Sequence, residues 1–262
     1  MKRDFTFDRP FEQKPYGGGS CAIFRKIACV GDSLASGELE IVRGEERSYL
    51  DLYDYSWGQF LGRMTGAKVY NFSRGGMSAS EYMGGWAEEN GCFDEEKKCQ
   101  AYVIALGVND LLNMGQEVGG VADIGGDKKT FARYYSEIVL RYKKIEPNAK
   151  FFFVTMPRQE IDDAERTKKK EQLVGFLYEL SETFPNCYVL DFYKYAPVYD
   201  AEFVRKYFYN GHMNASGYRL TAEYMVSGIH SIVEAFPEEF EDVPLIGTEH
   251  HYLMENDKGE KR

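Results

Sequence analysis

A short apolar run, Ile27-Ala28-Cys29-Val30, leads directly into Gly31-Asp32-Ser33-Leu34. A buried strand ending there presents Ser33 at the carboxyl edge of a sheet, where open α/β sheets bind ligands. Three further fragments follow in order: Asn71-Phe72-Ser73-Arg74-Gly75-Gly76, Gly107-Val108-Asn109-Asp110 and Gly211-His212-Met213-Asn214. Together they supply a nucleophile, oxyanion donors and a general base, the parts needed for acyl transfer through serine.

A serine hydroxyl is a poor nucleophile until a base takes its proton. Ser is also a good helix N-cap, so Ser33 alone does not distinguish catalysis from capping. Of the four histidines, His250 and His251 lie in an acidic tail and His230 lies inside the last candidate helix. His212 alone sits in a loop just before a helix, and an ordinary imidazole pKa near ~6.5 suits proton transfer at neutral pH. Asn109 follows a candidate strand and can offer a side-chain N–H, although Asn-Asp is also common in turns. Gly76 can offer a backbone N–H, with Gly75 as the alternative donor, although a glycine there also suits a positive φ. The Ser33 backbone N–H is the third expected donor.

The four fragments resemble the motifs of the SGNH hydrolases, also called the GDSL esterase/lipase family. The family's Ser, Gly, Asn and His correspond to Ser33, Gly76, Asn109 and His212, and the resemblance spans residues 23–236. It implies that these four are catalytic. It also implies a flavodoxin-like layout. A serine, a histidine and oxyanion donors need no cofactor, and no His/Asp/Glu cluster has the spacing of a metal site. The adjoining Asp32, Leu34, Gly75, Met77, Tyr209 and Asn210 are the expected substrate contacts, with Asp32 and Asp110 also bracing their loops. One position departs from the pattern. The family usually has Asp three residues before the histidine, and here that residue is Tyr209. An imidazole needs a partner to hold its tautomer and orientation. Asn210, Tyr209, a backbone carbonyl, or a distant carboxylate such as Asp191 or Asp200 are the candidates, and the expectation is a Ser33–His212 dyad with weak support.

The elements that must position these residues are legible as alternation. Apolar runs of strand length cover residues 23–30, 68–72, 101–106, 150–155 and 187–191, several of them continuously apolar as in strands covered on both faces. Between them lie candidate helices at 57–65, 79–88, 130–145, 162–184 and 215–236. In the third of these Phe131, Tyr134, Tyr135, Ile138, Val139 and Tyr142 recur at helical spacing, and Pro147 stops it. Strands alternating with helices imply an α/β fold: a three-layer α/β/α sandwich with a parallel sheet of about five strands and right-handed crossovers. Residues 1–22 read as an N-terminal extension and 237–262 as an acidic tail whose end is expected to be disordered. The tail patch Val243-Pro244-Leu245-Ile246 is a candidate to pack on the domain or on a second copy of the chain.

A chain of 262 residues can bury a sizeable core without staples. The net charge of −10 argues against nucleic acid and anionic membranes as partners. The basic run Lys168-Lys169-Lys170 reads as a solvated helix face. Five cysteines, an odd number without metal-ligand spacing, suggest reduced thiols, with Cys29 and Cys187 buried. No signal-like segment or run of ~20 apolar residues is present, so a cytoplasmic protein is expected.

The loop after Ser33 is long and holds Glu38, Arg43, Arg47, Tyr49, Tyr53 and Tyr55, and nearby loops hold Met77, Tyr82, Trp86 and Arg158. Aromatic and charged groups together suit a polar substrate with flat faces, such as a sugar. A lipase would want an apolar groove or lid. The expected substrate is therefore a small acyl ester, acetyl first, on a small molecule or carbohydrate. The competing readings are a lipase/lysophospholipase or thioesterase of the same family, and a non-catalytic ligand-binding domain on this scaffold. A flavin or nucleotide site is disfavoured, because no glycine-rich phosphate loop with its Lys is present.

Overall fold

The computed structural model describes residues 9–250. Five parallel strands form the sheet: β1 (Lys26–Gly31), β4 (Lys68–Ser73), β5 (Ala101–Ala105), β6 (Lys150–Val154) and β7 (Cys187–Leu190), in the order β4-β1-β5-β6-β7. A hairpin of β2 (Glu38–Arg43) and β3 (Glu46–Asp51) follows β1, and a second, minimal hairpin joins β8 (Phe208–Tyr209) to β9 (His212–Met213). The helices are α1 (Ser33–Ser36), α2 (Trp57–Thr65), α3 (Ala79–Glu81), α4 (Ala87–Glu89), α5 (Phe131–Ile145), α6 (Ala164–Thr183), α7 (Phe192–Tyr195), α8 (Ala201–Tyr207) and α9 (Ala215–Ala235).

The strands are apolar on both sides because both sides are covered. Ala28, Val30, Tyr102, Ile104, Phe151 and Phe153 pack with α5 and α6 on one face. Ile27, Cys29, Val103, Phe152 and Leu190 pack with α2 and α9 on the other. The three-layer α/β/α sandwich expected from the alternation is the architecture observed. Phe11 and Cys21 near the amino end, and Phe240, Val243 and Ile246 near the carboxyl end, are buried in the second of these clusters. The tail patch thus packs on the domain. Residues 255–262 lie outside the described part. All five cysteines are free and buried.

Two expectations are corrected. The helix expected at 79–88 is broken into α3, a π-helical turn at Tyr82–Trp86 and α4, because Gly85 takes φ 132. Lys170 is not on a solvated face: its ammonium is 2% exposed and meets Asp162 Oδ2 at 2.6 Å and the Pro157 carbonyl at 2.8 Å. Each of α2, α5, α6 and α9 starts at a side chain that caps it: Ser56, Thr130, Asp163 and Asn214. Among the described residues no helix is long and apolar enough to cross a membrane.

Candidate active site

The strand register levels three loops at one edge. Gly31 of β1 pairs with Ser73 of β4 on one side and with Ala105 of β5 on the other. The chain leaves all three strands at the same height, and Ser33, Gly75-Gly76 and the Gly107–Asn109 turn follow within a few residues. The strand order reverses at β1, which makes this edge the topological switch point.

Asp32, not Ser33, is the N-cap of α1: its carboxylate accepts the Leu34 N–H at 3.0 Å. The Ser33 hydroxyl is therefore not consumed in capping. Burial, with the charges of Asp110 and Glu38 nearby, raises the Asp32 carboxyl to about 7. Asp110 is fully buried and accepts the Ala79 N–H at 2.8 Å, tying the loop after β5 to the loop after β4. Asn109 gives one amide hydrogen to the Met77 carbonyl at 3.0 Å, and its Oδ1 accepts from Asn113 at 2.8 Å. A primary amide has two hydrogens, so the second is left to donate. Gly76 takes φ 74, and a Cβ built there would touch nothing, so its conformation, not crowding, calls for glycine. Gly75 is the opposite case, because a Cβ there would overlap Glu38 Oε2.

His212 opens β9 after a tight turn in which Asn210 takes φ 55. The β2–β3 hairpin grips that turn. The Asn210 amide donates to the Glu40 carbonyl at 2.9 Å, and the Gly211 N–H donates to Glu40 Oε2 at 2.5 Å. That backbone bond, helped by Arg47, lowers the Glu40 carboxyl below its ordinary value. Tyr49 packs edge-on to the imidazole, ring centres 5.8 Å apart. Burial lowers the His212 pKa, opposed by the charges of Glu40 and Asp51.

None of the partners that the sequence offered holds His212. Asp191 caps α7 and accepts from Thr155 and Tyr178; Asp200 caps α8. Asn210 binds Glu40, and Tyr209 is 52% exposed. His212 Nδ1 is buried with no hydrogen-bond partner, which rules out a backbone carbonyl there. The group that reaches the ring is Glu38, whose Oε1 lies 2.9 Å from Nε2. Burial, then repulsion from Asp51 and Glu40, raises the Glu38 carboxyl to about 7.

A cavity of about 610 Å³ brings Ser33, Leu34, Gly75, Gly76, Asn109 and His212 together on its wall. Asp32, Met77, Tyr209 and Asn210 do not line it, although Asp32 lines a smaller second cavity of about 70 Å³. Asp32 and Met77 are buried in loop bracing and core, and Asn210 is spent on the turn. Tyr82 is also buried, bonded to Tyr142, and Arg158 lies over the Tyr193 ring. The cations at the cavity are instead Arg166 and Lys170, joined by Glu38, Tyr49, Gln159 and Tyr199.

The chain matches the model of the GDSL-like lipase/acylhydrolase family over residues 29–220. It belongs to that family. The protein is thus a carboxylic ester hydrolase of the GDSL type. No curated protein matches the sequence. Among solved structures it is similar to a family two carbohydrate esterase from Clostridium thermocellum in complex with cellohexaose. That pair has a TM-score of 0.59 and 17% identity, over 80% of this chain and 65% of the other. It is similar to the psychrotrophic esterase EstA from Pseudoalteromonas sp. (TM-score 0.53, 16% identity, 80% of this chain and 99% of that one). It is also similar to the acetyl xylan esterase AlAXEase (TM-score 0.50, 16% identity, 78% and 99%). At these identities the likeness is one of fold.

Proposed function

We propose that this hydrolase is a serine esterase that removes a small acyl group, acetyl first, from a carbohydrate, with Ser33 as nucleophile and His212 as base. The observation that carries the reading is the convergence of Ser33, Gly76, Asn109 and His212, from four separate segments, on one cavity wall. Ser33 Oγ attacks the ester carbonyl while His212 takes its proton. The tetrahedral oxyanion is held by the backbone N–H groups of Ser33 and Gly76 and the remaining amide hydrogen of Asn109. The alcohol leaves with the proton from His212, and water hydrolyses the acyl-enzyme by the same steps. These steps call on no cofactor.

Two features support the substrate class. The cavity wall mixes Tyr49 and Tyr199 with Gln159, Arg166 and Asn113, a lining suited to a hydroxyl-rich ligand. A second cavity of about 70 Å³, walled by Leu34, Val108, Met156 and Met213, adjoins the first and has room for a short acyl chain only. The related structures named as a carbohydrate esterase and an acetyl xylan esterase fit this reading. With its −10 net charge the chain is read as acting on a small ester, not on nucleic acid or a membrane. The test is hydrolysis of 4-nitrophenyl acetate, butyrate and octanoate by wild type and Ser33→Ala, followed by a screen of acetylated sugars. The expected result is a falling rate with chain length that Ser33→Ala abolishes. An octanoate preference would overturn the small-acyl reading.

A further inference from the structure

The aspartate expected three residues before the histidine is absent, yet the imidazole is not without a carboxylate. Glu38, the first residue of β2, places Oε1 at 2.9 Å from His212 Nε2, with its side chain 11% exposed. Its other oxygen lies against Gly75, where any Cβ would displace it. Its backbone is fixed as well: the Tyr218 hydroxyl, buried in α9, donates to the Glu38 carbonyl at 2.7 Å and lies 3.4 Å from the Ser33 carbonyl. The nucleophile loop, Glu38 and the base are thus tied into one unit.

We propose that Glu38 is the carboxylate that positions His212, delivered by the β2–β3 hairpin in place of the aspartate missing at Tyr209. The inference rests on the reading of Ser33 and His212 given above. It fixes the tautomer. In this arrangement Nε2, 2.9 Å from Glu38 Oε1, is the nitrogen that carries the proton, and Nδ1, buried and unpartnered, keeps its lone pair. A buried acceptor left empty costs less than a buried charge, and such a base closes its hydrogen bond only when substrate and serine are aligned. In the reaction the Ser33 proton passes to Nδ1 as the Oγ–carbon bond forms. The positive charge this creates on the ring faces the Glu38 carboxylate. When the tetrahedral intermediate collapses, the bond to the alcohol oxygen breaks and that oxygen leaves with the proton from Nδ1.

The groups facing this pair are mostly acidic: Glu40 from β2, Asp51 from β3 and Asp32 before α1. Arg47 is spent on Glu40 at 2.5 Å, while Tyr49 and Tyr218 supply the remaining walls. That crowding brings the Glu38 ionisation into the range of an imidazole's, so the active form requires two deprotonations, not one.

The experiment compares wild type, Glu38→Gln and Ser33→Ala on 4-nitrophenyl acetate across pH, with folding checked by thermal melting. Glu38→Gln is expected to lower kcat by about 10²–10⁴-fold with little change in KM. Below both ionisations, log(kcat/KM) of wild type is expected to fall with a slope approaching two, and that of Glu38→Gln with a slope of one. A purely structural role would not change the slope. In parallel, His212 is titrated by NMR in Ser33→Ala protein with and without Glu38→Gln, a readout that needs no turnover. Loss of the carboxylate is expected to shift its midpoint downward. Unchanged kcat, slope and midpoint in Glu38→Gln would overturn the proposal. If instead Ser33→Ala leaves hydrolysis intact, the esterase reading fails, and the NMR titration still decides the Glu38 contact.

Discussion

Asn109 is bonded through its side-chain amide to the Met77 carbonyl at 3.0 Å, so the turn that follows β5 also fixes the loop that leaves β4. Its Oδ1 accepts from Asn113 at 2.8 Å, so both ends of the amide are held. The free hydrogen is preset before charge develops, which is what an oxyanion donor requires.

Asn109→Ala is expected to lower kcat on 4-nitrophenyl acetate by about 10²–10³-fold, with a smaller change in KM. Steady-state kinetics on folded protein checks this. A fall confined to KM would assign Asn109 to substrate binding alone.

Asp162 and Lys170 form a buried pair beside the cavity, 2.6 Å apart and 7% and 2% exposed. Removing one partner leaves a buried charge uncompensated. Asp162→Asn is expected to cost about 3–5 kcal/mol of unfolding free energy in urea titrations. The double variant Asp162→Asn/Lys170→Met is expected to recover much of that loss, because the buried lysine charge goes with its partner, and Arg166, which also meets Asp162 at 3.7 Å, is 36% exposed and keeps its solvent.

Asp32 gives the stability a pH dependence of known sign. Its carboxyl is raised in the folded state from 3.8 to about 7, so the folded state holds the proton more tightly than the unfolded chain. The group's contribution is fully present below about pH 4 and is lost as pH rises through about 7. Relative to wild type, Asp32→Asn is expected to gain stability steadily over that window and to run parallel outside it, by on the order of 4 kcal/mol at most. Urea unfolding of both proteins at several pH values reads this directly, and a constant difference would contradict it.

Much of the fold was legible because its signal is local. A continuously apolar run flanked by turns marks each sheet strand, and Ser56, Thr130 and Asn214 mark helix starts that the structure uses as caps. The β2–β3 hairpin was not legible. Three residues of β2 and β3 are Glu, one is Asp and two are Arg, and most of β3 is exposed, so the apolar alternation that betrays a strand is missing. Gly44 at φ 64 marks its turn, and Asn210-Gly211 marks the second hairpin, a turn signal that sequence reasoning passed over. Glu38 illustrates the deeper limit. Its contact with His212 joins opposite ends of the chain, and only the fold brings the β2–β3 hairpin onto the turn before β9. Lys170 was misread for a related reason. Its neighbours in sequence are charged, and only the packing of α6 beside Asp162 buries it.

Turnover through Ser33 requires that its hydroxyl become acylated. The most direct measurement is labelling with a fluorophosphonate ester, followed by peptide mass spectrometry of wild type and Ser33→Ala. One covalent adduct is expected, on Ser33, formed in step with loss of 4-nitrophenyl acetate hydrolysis and absent from the variant. Hydrolysis that survives complete labelling, or an adduct on another residue that tracks the loss of activity, would contradict it.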